Sequence, residues 1–301
     1  MKKGVHLIAH SPSTERMGFA LVESLRRTGI EGRIRVDFQD ACPAACWDKL
    51  GVTVSVSRSV HAGGGDLRWL NKLSAIAEAD EDESIFLDSD MLAMRDIGYW
   101  WEDLATDDLT FWNARRRPSD IGAETVVTNQ LNPHPFCEHY GVEAVPIMLG
   151  GGHYFFRNTV RGQAILQRIA DIMVEAVENP GALYWKFAGE GNIVGDEPAA
   201  SMAVVEFGVR LPEPSAMAPQ PPVGVFMAPW QRWVKQDFAK SLARYWCTWT
   251  KQEVEPDVVH FAHVGKSDPG YAGFVQQRWA GAHISRRLKN KPEGSQKNVR
   301  M

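Results

Sequence analysis

The chain has 301 residues, 44% of them hydrophobic and 23% charged, with a formal net charge of -4 at neutral pH. That length is enough to bury one large core, as one domain or two closely fused ones, and the charge balance excludes a protein that grips polyanions over its whole surface. No run reaches the roughly 18 apolar residues of a membrane span, and Met1-Lys2-Lys3-Gly4-Val5-His6 leads into a strand instead of an apolar leader, so a cytoplasmic protein is expected.

In chain order, Lys3 to His10 predicts a strand, and Ser13 or Thr14 caps a helix with Met17, Leu21 and Leu25 on one face. Strands are expected at Arg33 to Phe38 and Val52 to Ser57, then a helix from Asp66 to Ala79 and a strong strand at Ser84 to Leu87. Asp108 to Asn113 reads as a further strand, followed by a polar loop holding Arg115, Arg116 and Arg117. A Gly-rich turn then leads to a strand at His153 to Arg157 and a long helix, whose inner side is assigned Val160, Ala164, Ile169, Ile172, Met173 and Ala176.

Six prolines between Leu211 and Pro229 exclude a central strand or helix and suggest a surface crossover or lid. From Ser285 onward the sequence is polar and basic, with Arg286, Arg287, Lys289, Lys291, Lys297 and Arg300, and a mobile tail over 285–301 is expected. Strands alternating with helices predict an α/β fold with a sheet covered on both faces. Cys42, Cys46, Cys137 and Cys247 lack the paired spacing of a zinc site, and reduced, mostly buried thiols are expected.

The chemistry centres on Ile85-Phe86-Leu87-Asp88-Ser89-Asp90-Met91-Leu92, a buried strand ending in two carboxylates one residue apart. Ligands collect at the carboxyl ends of strands in open α/β sheets, and two acids placed there repel unless a cation sits between them. A hard divalent ion held this way also bridges diphosphate oxygens. Taken alone, Asp-x-Asp is equally a solvated turn with capping aspartates. The same chain also supplies Leu149-Gly150-Gly151-Gly152-His153-Tyr154-Phe155-Phe156-Arg157-Asn158, then Gly195-Asp196-Glu197-Pro198, then His260-Phe261-Ala262-His263-Val264-Gly265-Lys266.

In that order and spacing these segments resemble GT-A glycosyltransferases, especially the retaining, glycogenin-like and bacterial galactosyltransferase-like family 8, over roughly Val5 to Lys266. The resemblance implies one GT-A domain over 1–284, a mixed central sheet flanked by helices, with a nucleotide- and metal-binding half (1–113) and a sugar and acceptor half (114–284). It implies a metal site of Asp88, Asp90 and His260, with His263 as the alternative ligand, taking manganese or magnesium. The imidazole shifts the preference toward manganese. It places Lys266 on the diphosphate of a nucleotide-sugar donor, a UDP-sugar in this family, although Lys266-Ser267-Asp268-Pro269 stands where the family has Lys-Pro-Trp.

Further donor contacts are implied for Ser89, for Gly150, Gly151 and Gly152, for Ala9, His10 and Ser11 after the first strand, and for Lys72. Asp196 and Glu197 match an Asp-Gln pair near the anomeric carbon, with Glu in place of the amide. Their bland alternative is Asp196 as a helix cap with Glu197 and Pro198 in the first turn. The implied reaction moves a hexose to an acceptor hydroxyl with retention.

The acceptor is expected to be a saccharide or small molecule, with a hydroxymethylated base in DNA raised by the arginine triplet and the basic tail. Trp230, Trp233, Trp246 and Trp249 concentrate where an acceptor would approach, though large core aromatics are the default explanation for them. A sugar-phosphate nucleotidyltransferase needs a Gly-rich basic loop after the first strand, which Ser11-Pro12-Ser13-Thr14-Glu15 does not provide. An aspartate phosphatase would carry Gly-Thr where Met91-Leu92 stands. A catalytically inactive sugar-nucleotide or glycan-binding module is the rival from another class.

Overall fold

The computed structural model describes residues 1–40, 43, 47–58, 67, 69–120, 131–148, 152–179, 181, 183–188, 194–213, 225–227, 232–247, 252–261 and 266–289. In chain order the elements are β1 (Lys3–Ala9), α1 (Pro12–Thr28), β2 (Arg33–Gln39), β3 (Thr53–Ser57), α2 (Leu70–Ala77), β4 (Glu83–Leu87), β5 (Met91–Ala93), α3 (Trp100–Asp103), β6 (Leu109–Thr110), β7 (Asn113–Arg116) and α4 (Pro133–Tyr140). They continue with β8 (Val145–Met148), β9 (His153–Arg157), α5 (Val160–Glu178), α6 (Leu183–Ala188), α7 (Asp196–Glu206), β10 (Val225–Met227), β11 (Arg232–Asp237), β12 (Leu242–Cys247), β13 (Gln252–Val254), β14 (Val258–His260) and α8 (Pro269–Lys289).

The fold is α/β. Six strands form the central sheet in the order β3-β2-β1-β4-β9-β6. β1 pairs in parallel with β2 and β4, β2 in parallel with β3, and β9 runs antiparallel to both β4 and β6. Because strand side chains alternate, the central pair β4 and β9 feeds two cores. Phe86, Tyr154 and Phe156 face a cluster with Leu73 of α2, Ile169 of α5 and Ala203 of α7, while Ile85, Leu87 and Phe155 face one with Leu21 and Leu25 of α1. Each large apolar side chain buried this way contributes about 1.5–3 kcal/mol relative to exposure. A third cluster joins Leu92, Val259 and Phe261 to Phe274 of α8 and Tyr245 of β12, and so seats the small sheet β10-β14-β5.

Several local expectations are corrected. The first helix is capped by Ser11, whose hydroxyl accepts from the Thr14 N–H, with Pro12 in the first turn where its missing donor costs nothing. Helix α2 begins at Leu70, after Asp66, which lies outside the described residues. The expected strand Asp108 to Asn113 is two strands in different sheets, and Arg115 and Arg116 lie on β7, paired to β8, instead of in a loop. On α5 the inner side is Ile165, Leu166, Ile169, Ile172, Met173 and Ala176, whereas Val160 is 92% exposed and Ala164 is exposed. In the first turn it is Gly162 that lies against the Arg157 carbonyl and the Phe156 ring.

Within the proline-rich stretch, β10 forms a proline-free edge strand on β14. The last helix continues to Lys289, so the tail expected from Ser285 starts inside it, and residues 290–301 lie outside the described residues. Cys137 is buried and free. No helix among the described residues is long and apolar enough to cross a membrane.

Candidate metal centre

Strand β4 is buried along its whole length, and the chain leaves it at Asp88. The Asp88 N–H donates to the Gly152 carbonyl at 2.8 Å, and the Met91 N–H donates back to the Asp88 carbonyl at 3.1 Å, so Asp88, Ser89 and Asp90 form a tight turn between β4 and β5. Gly152 fits beside it for two reasons. Its φ is 66°, and a Cβ there would lie 2.6 Å from Asp88 Cγ. Only glycine accepts both without displacing the carboxylate.

His260 reaches this turn from the far end of the sequence. β14 pairs antiparallel with β5 so that His260 faces Met91, and the Phe261 N–H donates to the Asp90 carbonyl at 2.9 Å. His260 Nε2 then stands 3.2 Å from Asp90 Oδ1 and 3.8 Å from Asp88 Oδ2. One ligand atom from each of Asp88, Asp90 and His260 falls within 4.8 Å of the others, a spacing that suits a shared cation. Lys266 Nζ meets the other oxygen of Asp90, Oδ2, at 2.9 Å and is about half exposed.

The two aspartates differ electrostatically. Burial pushes Asp88 above the usual carboxylate range, with Lys72 opposing the rise and Asp90 adding to it. Burial pushes Asp90 the same way, but His260 and Lys266 outweigh it and hold that carboxyl well below the usual range.

A second cluster shares Asp88. Lys72, on α2, is 3% exposed and places Nζ 3.0 Å from Asp88 Oδ1 and 3.1 Å from Asp196 Oδ2. The Tyr154 hydroxyl donates to the same Asp196 oxygen at 2.7 Å. Nζ also lies 5.4–5.8 Å from the ring centres of Trp69, Phe86 and Tyr154, an aromatic lining that favours the ammonium. Burial alone would drive the proton off Lys72, but Asp196 and Asp88 outweigh that and raise its pKa.

Asp196 is the first residue of α7, with Gly195 as the cap and no side chain bonding the cap, which replaces the capping role considered for Asp196. The residue is 4% exposed, and its carboxylate accepts from Lys72 and Tyr154. Glu197 follows it in the first turn, where burial first and Asp196 second push its carboxyl up to about 7.

Of the residues singled out in the sequence, the structure thus gathers Asp88, Asp90, His260, Lys266, Lys72, Asp196, Glu197 and Gly152. Ser89 is buried within the turn. Ala9, His10 and Ser11 lie at the carboxyl end of β1, beside β4, where Ala9 is buried and the His10 and Ser11 N–H groups donate to Thr14 Oγ1. Gly150, Gly151, His263, Trp230, Trp249, Cys42 and Cys46 lie outside the described residues. Trp233 stacks on Phe261, and Trp246 is 38% exposed.

Two tyrosines went unmarked in the sequence. One is Tyr154; the other is Tyr271, buried flat against Phe261 with ring centres 3.8 Å apart and its hydroxyl unpartnered among the described residues. The only available signal for Tyr154 was its strand position, which puts it on the face shared by Phe86 and Phe156. No family model and no curated protein sequence matches the chain.

Proposed function

We propose that the chain is a metal-dependent GT-A glycosyltransferase of the family 8 kind, transferring a hexose from a nucleoside-diphosphate sugar to an acceptor hydroxyl. The carrying observation is the convergence of Asp88, Asp90 and His260 at the carboxyl end of a central strand. Two carboxylates and one imidazole fit manganese better than magnesium, which takes oxygen ligands by preference. The bound ion would neutralise charge on the donor diphosphate, the leaving group of the transfer.

In this reading the chain's own residues divide the remaining work. Lys266, half exposed beside Asp90, meets the diphosphate. Lys72 holds Asp88 and Asp196 in place, since both carboxylates already claim its ammonium. Glu197 presents its carboxyl to the sugar end, with Asp196 held beside it by Lys72 and Tyr154, and Glu197 at about 7 is divided between acid and carboxylate near neutral pH. UDP as the nucleotide and retention at the anomeric carbon follow from the family likeness.

The test is calorimetry with Mn²⁺, then with a panel of nucleotide sugars in its presence, followed by donor hydrolysis. Expected is Mn²⁺ binding that weakens at least about a hundredfold in Asp90→Asn and His260→Ala, comparable to or beyond the loss of supporting residues in metal sites. Donor binding without any hydrolysis or transfer would leave a sugar-nucleotide-binding module. No Mn²⁺ binding at all would end the proposal.

A further inference from the structure

The two edges of the central sheet are unlike. β6 closes one side with only Leu109 and Thr110, both buried, and so short and covered a strand offers no template to another chain. β3 ends the other side with Thr53-Val54-Ser55-Val56-Ser57, and among the described residues nothing pairs with its outer edge. It carries none of the usual guards: no proline, no charged side chain and no bulge against β2.

The pairing with β2 decides which backbone groups that edge presents. β3 runs parallel to β2 with Ser57 beside Gln39, and the Asp40 N–H donates to the Ser57 carbonyl at 3.0 Å. Backbone groups of successive strand residues point to alternate sides, so Thr53, Ser55 and Ser57 turn theirs to β2, and Val54 and Val56 turn theirs outward. The side chains divide in the same way. The Ser55 and Ser57 hydroxyls both donate to Asp37, at 2.8 and 2.9 Å, whereas Val54 packs against the core beneath α1 and Val56 is left 62% exposed.

The segment is also its own complement. Laid antiparallel about Ser55, two copies set Val54 of one protomer opposite Val56 of the other, and Thr53 opposite Ser57. The outward groups of the valines then exchange four backbone hydrogen bonds, and Ser55 meets Ser55 at the non-hydrogen-bonded position on the axis. Arg58 falls opposite Val52, so no like charges meet across the pair. A slip of one residue would set outward groups against inward ones and lose those bonds. Edge backbone groups already bond to water, so the net gain is modest for each bond, and the covering of Val56 adds an apolar contribution.

We propose that the outer edge of β3 pairs antiparallel with the same edge of a second copy of this chain, about a two-fold axis at Ser55, joining two six-stranded sheets into one. Five residues make a small contact, so the dimer forms reversibly and is not obligate. β2 and β1 separate β3 from β4 and its aspartates, so the pairing does not depend on what the metal-type group binds.

Sedimentation velocity and hydrogen exchange of the whole protein over a range of concentrations test it. A monomer–dimer equilibrium is expected, with exchange at the Val54 and Val56 amides slowing as the dimer forms and exchange at Ser55, already bonded to β2, unchanged. Val56→Lys puts a charge on the edge, and Val56→Pro removes an outward N–H without touching the bonds to β2; each weakens association by about tenfold or more. If Val56→Pro fails to fold, Val56→Lys at an exposed position still decides. A monomer at every soluble concentration overturns the proposal. So does a dimer unchanged in Val56→Lys, or one in which the Val54 and Val56 amides exchange no more slowly than in the monomer.

Discussion

Two clusters of charge share Asp88 and are built for opposite ends. Around Lys72, an ammonium is closed in by Asp88, Asp196 and Tyr154, with aromatic rings around it, and is 3% exposed. Around Asp90, an imidazole and a half-exposed lysine take one oxygen each, and three ligand atoms converge from two strand ends. The residue types are nearly the same. Closure separates the roles: Asp196, claimed by a buried ammonium and a tyrosine, is a strut, and Asp90, shared with a half-exposed lysine, is available to a metal.

Substitutions sharpen that contrast. The largest effect is expected from Lys72→Met, which leaves Asp88 and Asp196 facing one another without their cation. Breaking a buried pair this way costs about 3–5 kcal/mol, and urea denaturation should show it, with Asp90 variants much milder. Equal losses at Lys72 and Asp90 would erase the distinction. Gly152→Ala comes next: the added methyl presses on Asp88 at a left-handed φ and should cost roughly 2–3 kcal/mol while weakening Mn²⁺ binding. Unchanged Mn²⁺ affinity would mean that Asp88 is not a ligand.

Glu197 tests the electrostatics of the closed side. Its carboxyl sits at about 7 in the folded protein against an ordinary 4.5, so the folded state holds a proton that the unfolded chain releases over that interval. Stability in chelator therefore falls as pH rises from about 4.5 to about 7 and levels off above, by roughly 1–3 kcal/mol. Glu197→Gln should flatten this part of the profile in denaturation measured at several pH values. The smallest effect is a control outside both clusters: Ser11→Ala removes the cap of α1 and should cost about 1 kcal/mol with Mn²⁺ affinity unchanged.

The aspartates of the metal-type group were legible from the residues, since Asp88 and Asp90 end an apolar run, whereas His260 was reached only through the resemblance to family 8. The parallel part of the sheet was legible through its alternation of strands and helices. What escaped was set by partners distant in sequence. Nothing near Tyr154 announces that Asp196 will accept its hydrogen bond, and nothing near Lys72 shows that two carboxylates will enclose it. The helical period alone misleads at the first turn of α5, where Gly162 and not Val160 meets the strand before it. The Ser11 cap was within reach of local rules, since Pro12 favours the first helical position.

The antiparallel join of β5 and β14 also fixes when the metal group comes into being. Asp88 and Asp90 are synthesised well before His260, and the pairing of Met91 with His260 and the bond from Phe261 to Asp90 bring it in. A nascent chain therefore leaves Asp90 without His260 and Lys266 until β14 docks, a contact of long sequence separation and so slow to form. If the group takes a cation as proposed, its binding reports the docking of β14, and a metal titration during refolding would time that step.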